Sequence, residues 1–424
     1  MDKLIVMGGT RLKGSISVSG AKNAVLPIMA AGILNDGESI IHNVPNLEDV
    51  KVMIKVLEAV GAKVKKEGTT LIIDSSTVNS YELSDSLVRK MRASNLVMGA
   101  LAAKFGTFKT LYPGGCNIGS RPIDLHLKGL ERLGLKTSEG HGYIEGKSSG
   151  LVGNSIHLDF PSVGATENIM MAACMAKGKT IIRNAAREPE IVDLQNFLNS
   201  MGANVKGAGL DVIKIEGVKK LKSSPVEHTV IPDRIEAGTH MVAAAITGGD
   251  VEIKNIIVEH VEPVISKLRE CGASISNYNN CVRVTVPGRI RANDFRTLPY
   301  PGFPTDMQPQ IMALMSLAQG TSVISESIFD NRFKHVDELR RMGADIKVEG
   351  RVAIVTGTER LTGAFVEATD LRAGAALVLA GLAAEDATVI ENIYHIDRGY
   401  DNLEKKYSQL GAKIIRVSNS NGSN

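Results

Sequence analysis

The chain contains no tryptophan, and aromatic residues make up only 4% of its 424 residues. Proteins that bind single-stranded nucleic acid stack bases on aromatic side chains, so this composition argues against that class of function. The formal net charge is +3, from 49 basic and 46 acidic residues, which is too small to indicate a nucleic-acid partner. We therefore expect no nucleic-acid partner.

Long apolar runs are also absent. No run approaches the roughly 20 residues that cross a bilayer. The N-terminal segment, Met1-Asp2-Lys3-Leu4, lacks the basic region, the apolar stretch and the cleavage site of a signal peptide. The sequence therefore predicts a globular, cytoplasmic protein without a membrane partner.

Cysteine is sparse. Its four positions, Cys116, Cys174, Cys271 and Cys281, show neither metal-ligand spacing nor the density of a disulfide-stapled domain. Cys174 lies in an apolar helical segment and Cys271 at an apolar position of a repeat, which predicts core packing for both. We expect neither a metal nor any other cofactor.

Glycine, by contrast, marks a repeat. Six helix-like runs end in an apolar-Gly-Ala-x-Val/Ile block, in which Leu135 replaces the alanine of the second copy. The six glycines are Gly61, Gly134, Gly202, Gly272, Gly343 and Gly411, separated by 73, 68, 70, 71 and 68 residues. One supersecondary unit of about seventy residues therefore occurs six times.

The chain is too long for one ordinary core, and six repeats fit two domains of three. We predict an N-terminal domain over residues 21–230 and a discontinuous C-terminal domain over residues 1–20 and 231–424. Each repeat opens with an apolar helix, which neighbouring elements must enclose. In the third copy the pattern predicts helices over 166–177 and 191–201 and strands over 180–183 and from residue 204. The fold class is therefore α/β, with buried helices and outer sheets.

The starts of the apolar helices carry cations. A second marker, glycine in five copies and Asp386 in the last, places these starts at Ala21, Lys90, Ser162, Pro232, Pro304 and Asp370, sixteen residues upstream. Lys22, Arg92, Arg234 and Arg372 lie within two residues of them. Helix N-termini favour anions, and solvation at the surface explains any single cation about as well as a ligand does. Four together predict an external anion with phosphate or carboxylate groups.

The second repeat departs from the others through a glycine-rich insertion that carries Cys116 and Arg121. A thiol on such a loop does not pack in a core, and a nearby cation lowers its pKa, which favours a reactive thiolate or a tuned acid. His126 is expected to make local hydrogen bonds rather than to act as a base.

Two further helix starts have two interpretations each. The backbone N–H groups of Ser162-Val163-Gly164 suit a diphosphate, although simple N-capping explains Ser162 more readily. Asp306 either caps its helix or accepts a proton from a hydroxyl.

Seven separated motifs, in the same order, resemble the enolpyruvyl transferases, and most closely the branch that acts on UDP-N-acetylglucosamine. They lie at residues 19–24, 91–94, 113–122, 303–308, 326–332, 369–372 and 394–399. The resemblance implies two inside-out α/β barrels, or α/β prisms, of three repeats each. One departure is Phe160-Pro161, where some relatives have a lysine near the diphosphate.

The resemblance also implies an activity. The enolpyruvyl group of phosphoenolpyruvate would pass to the 3′-hydroxyl of UDP-N-acetylglucosamine by addition and elimination, with release of phosphate. This is the first committed step of peptidoglycan synthesis, hence of cell-wall biogenesis, cell shape and division, and a target of fosfomycin. Both expected partners are small-molecule substrates. Alternatives are a shikimate-pathway enolpyruvyl transferase, whose members lack the cysteine-bearing loop, and a non-catalytic repeat scaffold that binds an anion.

Residue roles follow from the same resemblance. Cys116 would be the acid and Asp306 the base. Phosphoenolpyruvate would contact Lys22, Asn23, Arg121, Arg332, Arg372 and Arg398. UDP-N-acetylglucosamine would contact Asn23, Arg92, Arg121, Pro122, Ile123, Asp124, Leu125, Ser162, Val163, Gly164, Asp306 and Ile328.

Overall fold

The structure is a computed structural model that describes residues 2–83, 95–112, 123–221 and 225–418. These residues form two compact units. The first unit lies within residues 20–231, and the second unit comprises the chain up to Ser19 and from Pro232 onward. Cys116, Arg92, Arg121 and Pro122 lie outside the described residues.

Helices of two kinds alternate along the chain, apolar ones and amphipathic ones. In the first unit they are α1 (Lys22–Ala31), α2 (Glu48–Ala59), α3 (Val97–Phe105), α4 (Asp124–Arg132), α5 (Val163–Ala173) and α6 (Pro189–Ser200). In the second unit they are α7 (Arg234–Ile246), α8 (Val258–Glu270), α9 (Gln308–Met315), α10 (Val336–Arg341), α11 (Leu371–Ala383), α12 (Tyr394–Asp397) and α13 (Leu403–Gln409). Within the described ranges, every helix is too short or too polar to cross a bilayer.

Short strands follow the helices. The first unit contains β3 (Glu38–His42), β4 (Lys63–Glu67), β5 (Thr70–Asp74), β6 (Thr107–Leu111), β7 (Lys136–Gly140), β8 (Tyr143–Lys147), β9 (Ser155–His157), β10 (Lys179–Arg183), β11 (Asn204–Lys206), β12 (Val212–Glu216) and β13 (Val226–Thr229). The second unit contains β1 (Lys3–Met7), β2 (Lys13–Ser17), β14 (Asp250–Lys254), β15 (Ser274–Tyr278), β16 (Cys281–Thr285), β17 (Phe295–Arg296), β18 (Thr321–Ser325), β19 (Asp345–Glu349), β20 (Val352–Thr356), β21 (Phe365–Glu367), β22 (Ala387–Glu391) and β23 (Lys413–Val417).

Each repeat builds one sheet on the same plan. In five sheets of the described structure the strand after the apolar helix pairs antiparallel with one strand of a hairpin. In five it also pairs parallel with a strand of another repeat. The strand orders in the first unit are β13-β3-β5-β4, β6-β8-β7 and β9-β10-β12-β11. Those in the second unit are β2-β14-β16-β15, β17-β18-β20-β19 and β21-β22-β1-β23. The helices and strands predicted for the third copy are confirmed, with ends shifted by a few residues.

The N-terminal segment completes two sheets of the second unit. β1 pairs antiparallel with both β22 and β23, and Ile5 lies between Val389 and Ile415. β2 pairs parallel with β14. The last repeat therefore takes one of its strands from the start of the chain.

Apolar helices occupy the middle of each unit. In the second unit α7, α9 and α11 pack against one another, and in the first unit α3 packs against both α1 and α5. Nearly every residue of these six helices is buried. The predicted arrangement of inner helices and outer sheets is confirmed.

The glycine markers have a backbone reason. All six adopt positive φ, between +93° and +102°, where the amphipathic helix ends and the next strand begins. Only glycine reaches this region without steric cost, which is why the residue recurs at this place in every repeat. Asp386 replaces the upstream glycine of other copies at φ +64°.

Candidate active site

The carboxylate of Asp306 lies between two arginines of the second unit. Asp306 belongs to a 3-10 turn, Thr305–Met307, that leads into α9. Its Oδ1 accepts a hydrogen bond from Arg332 Nη2 at 3.2 Å, and its Oδ2 accepts from Nε and Nη2 of Arg372 at 3.2 and 3.0 Å. The arginine side chains are 2% and 1% exposed, whereas that of Asp306 is 25% exposed. Two buried cations therefore flank one accessible carboxylate.

Arg372 is held from several directions. It lies in the first turn of α11, where Asp370 Oδ1 accepts from its backbone N–H at 2.9 Å. Its guanidinium lies 5.4 Å from the centre of the Tyr400 ring. Burial lowers the pKa of Arg372, but Tyr400 and Asp306 outweigh burial and raise it above its usual range. Arg372 is therefore a permanent cation at this site.

Tyr400 is in turn fixed by the two other central helices. Its hydroxyl lies 3.0 Å from Thr239 Oγ1 of α7 and accepts from Gln310 Nε2 of α9 at 3.2 Å. Because Arg372 belongs to α11, one tyrosine joins all three central helices of the second unit. The position of the cation thus depends on the packing of the whole helix cluster.

Both arginines keep donors that the described protein does not use. Arg332 Nε and Arg372 Nη1 are buried and have no hydrogen-bond partner among the described residues. A buried unsatisfied donor costs about 1–3 kcal/mol, and more when the group is charged. A bound anion would satisfy both groups, so the arrangement suits a phosphate or carboxylate.

Lys22, the first residue of α1, has a protein counter-ion. Its Nζ lies 2.8 Å from Asp49 Oδ2 in the first turn of α2, and both side chains are buried. Lys22 and Arg372 are therefore each paired with an internal carboxylate, Asp49 and Asp306 respectively. Sequence reasoning missed Asp49, although an acid in the first turn of the following helix was a usable signal.

The start of α5 is capped by its own residue. Ser162 Oγ accepts from the backbone N–H of Ala165 at 3.4 Å, as the simpler interpretation predicted. His126 Nδ1 lies 3.0 Å from Asn168 Nδ2 of α5, so its hydrogen bond joins two helices 42 residues apart and is not the local one expected. A Cβ on Gly164 would lie 2.9 Å from His126 Cε1, so the ring requires a glycine there unless it shifts. A ligand role for Ser162, Val163 and Gly164 stays a prediction.

The remaining candidate residues fall into the two units. In the first unit, Asn23 is the second residue of α1, Ile123 precedes α4, and Asp124 and Leu125 begin it. In the second unit, Ile328 follows β18 and Arg398 follows α12. Phe160, at the position of the absent lysine, is 41% exposed.

The described cysteines behave as packing residues where this was predicted. Cys174 and Cys271 are buried, and burial raises their thiol pKa to about 12 and about 11, respectively. Cys281 begins β16 and is partly buried. Within the described ranges, no group of three or more His, Cys, Asp or Glu residues could hold a metal ion.

Comparison with known proteins identifies a family and relatives that match this chain over nearly its full length. The model of the family EPSP synthase (3-phosphoshikimate 1-carboxyvinyltransferase) matches residues 6–407. UDP-N-acetylglucosamine 1-carboxyvinyltransferase 1 of Carboxydothermus hydrogenoformans is 58% identical over 418 residues, 99% of each chain. UDP-N-acetylglucosamine 1-carboxyvinyltransferase 1 of Caldanaerobacter subterraneus is 59% identical over 414 residues, 98% of this chain and 99% of that one.

Solved structures show the same fold. The enolpyruvyl transferase NikO of Streptomyces tendae superposes with a TM-score of 0.89 at 26% identity and covers 98% of this chain and 99% of its own. EPSP synthase of Acinetobacter baumannii has a TM-score of 0.75 at 18% identity, with 99% and 100% coverage, and is similar in fold alone. The architecture is that of the enolpyruvyl transferases. The chain belongs to the EPSP synthase family.

Proposed function

We propose that this chain transfers the enolpyruvyl group of phosphoenolpyruvate to the 3′-hydroxyl of UDP-N-acetylglucosamine and releases phosphate. The names of relatives that match it from end to end at 58% and 59% identity support this acceptor. The observation that carries the chemistry is the Asp306 carboxylate between Arg332 and Arg372, each with an N–H left open for an anion.

The reaction is an addition followed by an elimination. A proton adds to the methylene carbon of phosphoenolpyruvate, which makes the neighbouring carbon electrophilic. The sugar hydroxyl forms the C–O bond and gives its proton to a base. The resulting ketal then loses phosphate, and a proton leaves the methyl group to restore the double bond. The chemistry requires an acid, a base and cations around the phosphate and carboxylate.

Asp306 suits the role of the base. Its side chain is 25% exposed, so a substrate hydroxyl can reach the carboxylate. An anion that binds Arg332 and Arg372 competes with Asp306 for their N–H groups and leaves its oxygens available. We propose Cys116 as the acid that protonates the methylene carbon, on the strength of the family resemblance.

The remaining ligand contacts are proposals of the same kind. Lys22, Asn23, Arg121 and Arg398 would join the two arginines around phosphoenolpyruvate. The UDP-sugar would bind residues 121–125, 162–164, Asn23, Arg92, Asp306 and Ile328. Phe160 offers no cation to the diphosphate, so we expect backbone N–H groups at the start of α5 to carry more of that contact.

We further propose that the enzyme acts in the cytoplasm, in the first committed step of peptidoglycan synthesis. On this assignment its loss would affect cell-wall biogenesis, cell shape and division. The same assignment makes the enzyme a target of fosfomycin, through alkylation of the Cys116 thiol.

A phosphate-release assay tests the function. Purified enzyme receives phosphoenolpyruvate with UDP-N-acetylglucosamine, with 3-phosphoshikimate, or with no acceptor. We expect phosphate only with the UDP-sugar, and loss of at least about 100-fold in Cys116→Ala and Asp306→Ala. Asp337→Ala, an exposed aspartate of the same unit, is the matched control. Release with 3-phosphoshikimate would favour the shikimate-pathway enzyme, and no release with either acceptor would favour a binding scaffold.

A further inference from the structure

Four of the six repeats place asparagine directly after the strand that follows the apolar helix. These residues are Asn43, Asn184, Asn255 and Asn392, all with left-handed φ between +52° and +59°. Each donates its side-chain amide to the neighbouring parallel strand or the residue after it, at Val230 O, Leu158 O, Val18 O and Glu367 Oε1, over 2.7–3.0 Å. The repeat therefore uses a donor at this position.

The fifth repeat replaces the donor with an acceptor. Glu326 follows β18 and is buried. Its Oε1 accepts from Thr297 Oγ1 at 2.9 Å and from the backbone N–H groups of Ile328 and Phe329 at 2.8 and 3.1 Å. Its Oε2 accepts from Thr305 Oγ1 at 3.0 Å. A buried carboxylate is costly unless it is well hydrogen-bonded, and these four donors meet that requirement.

The residues that donate hydrogen bonds to Glu326 adjoin the residues proposed for the chemistry. Thr305 directly precedes Asp306, and Ile328 and Phe329 belong to the loop that leads to Arg332. Arg332 Nη2 donates to Asp306 Oδ1 at 3.2 Å and to the Thr305 carbonyl at 3.4 Å. Glu326 thus contacts both the turn that contains Asp306 and the loop that leads to Arg332, and Arg332 in turn hydrogen-bonds to that turn.

We propose that Glu326 is a positioning residue that fixes the Asp306 turn and the Arg332 loop against each other. This inference rests on the proposed function. Glu326 makes no contact with the reacting atoms in this assignment. It acts through Thr305 and the loop N–H groups, and it sets the place of the base relative to the cation.

The test uses the hydroxyl of Thr305. Thr305→Val removes the hydrogen bond to Glu326 with little change in shape, whereas Thr305→Ser keeps it. Glu326→Asn installs the residue that four sister repeats carry at the equivalent place, although Glu326 does not share their left-handed φ. Thr358→Val is the matched control, since this half-buried threonine donates to Ser316 O at 3.0 Å, at the far end of α9.

We expect kcat for phosphate release to fall at least about tenfold in Thr305→Val and Glu326→Asn, with a smaller change in KM. Thr305→Ser should stay within about threefold of the wild type, and Thr358→Val should keep its kcat. Thermal unfolding of the variants shows whether they are folded. A purely structural role predicts equal losses of stability in the two valine variants and no difference in kcat.

The outcomes separate the two proposals. If the wild type is active and Thr305→Val and Glu326→Asn retain its kcat, the positioning role is overturned and the proposed function is not. Equal loss of kcat in Thr305→Ser and Thr305→Val would overturn it as well, because the hydroxyl would then not matter. No phosphate release by the wild type would overturn the proposed function and the positioning role together.

Discussion

Arg372 donates two hydrogen bonds, from Nε and Nη2, to one oxygen of Asp306, although the two residues are 66 positions apart. The first turn of a central helix thereby holds a cation against an acid at the start of another. The geometry leaves Arg372 Nη1 without a partner among the described residues. We interpret this ion pair as the resting form of a site that exchanges an internal anion for a substrate anion.

Replacing Arg372 with lysine tests that interpretation. Arg372→Lys keeps the charge but cannot make two parallel hydrogen bonds. We expect kcat/KM for phosphoenolpyruvate to fall about 100-fold or more, because lysine cannot replace the planar guanidinium donors at a buried site. Arg283→Lys is the control, because Arg283 also donates two hydrogen bonds to one aspartate, in this case to both oxygens of Asp250 on an outer sheet, at 2.8 and 2.7 Å. Equal activity of both variants would contradict the assignment.

His335 predicts how stability depends on pH. It precedes α10 and is fully buried, and burial and Arg332 lower its pKa from 6.5 to about 4 despite the opposing effect of Asp370. Between these values the unfolded chain binds a proton that the folded chain does not. Stability therefore falls as pH drops from 6.5 to about 4. One pKa unit corresponds to about 1.4 kcal/mol, so the loss from this group is on the order of 3 kcal/mol.

Urea unfolding between pH 7 and pH 4 measures this effect. His335→Met should flatten the decrease in the unfolding midpoint, whereas His157→Gln, at an exposed position of β9, should leave it unchanged. His240 is also buried, and burial lowers its pKa, so part of the decrease should persist in His335→Met. An identical pH profile in His335→Met and the wild type would refute the prediction.

Alkylation should distinguish the thiols. The raised pKa values of buried Cys174 and Cys271, about 12 and about 11, keep both as neutral thiols at pH 7.5. We expect iodoacetamide to modify Cys116 first, and phosphoenolpyruvate with UDP-N-acetylglucosamine to slow this reaction. Peptide mass mapping over time provides the measurement. Labelling of Cys174 or Cys271 at the same rate as Cys116 would contradict the special role of the loop thiol.

The repeat glycines should tolerate alanine poorly even where space is available. Gly343 has φ +93°, and the nearest atom to an added Cβ is Thr362 Oγ1 at 3.9 Å. The cost of Gly343→Ala is then backbone strain alone, on the order of 1 kcal/mol. Gly288→Ala is the control, since an added Cβ meets nothing within 4 Å and the φ is not left-handed. We expect a lower thermal midpoint only for Gly343→Ala.

Much of the fold could be predicted because the repeat is local. Helix starts counted from the markers at Ala21, Ser162 and Asp370 fall one residue before α1, α5 and α11. Spacing alone could not show which distant strands pair. The register of Lys3 with Val417 depends on the whole unit, and no local pattern encodes it.

The sequence could predict which residues belong to the site, but not the contacts that they make with one another. Cations at helix starts indicated an anion, and Asp306 was identified as a candidate base. Its contacts with Arg332 and Arg372 depend on how three helices pack, and the sequence does not reveal that. Glu326 escaped notice as an individual residue because its role shows only when it is compared with the asparagines of sister repeats in three dimensions.

The placement of β1 between β22 and β23 determines the order in which the two units can fold during synthesis. Residues 20–231 leave the exit tunnel while β22 and β23, the two neighbours of β1, are still untranslated, so β1 must wait for both of them. The second unit closes only after β22 and β23 have been synthesised. In ribosome-stalled chains that end near residue 380, the first unit should therefore be folded and resistant to protease, whereas β1, which lacks both neighbouring strands, should still be cleaved.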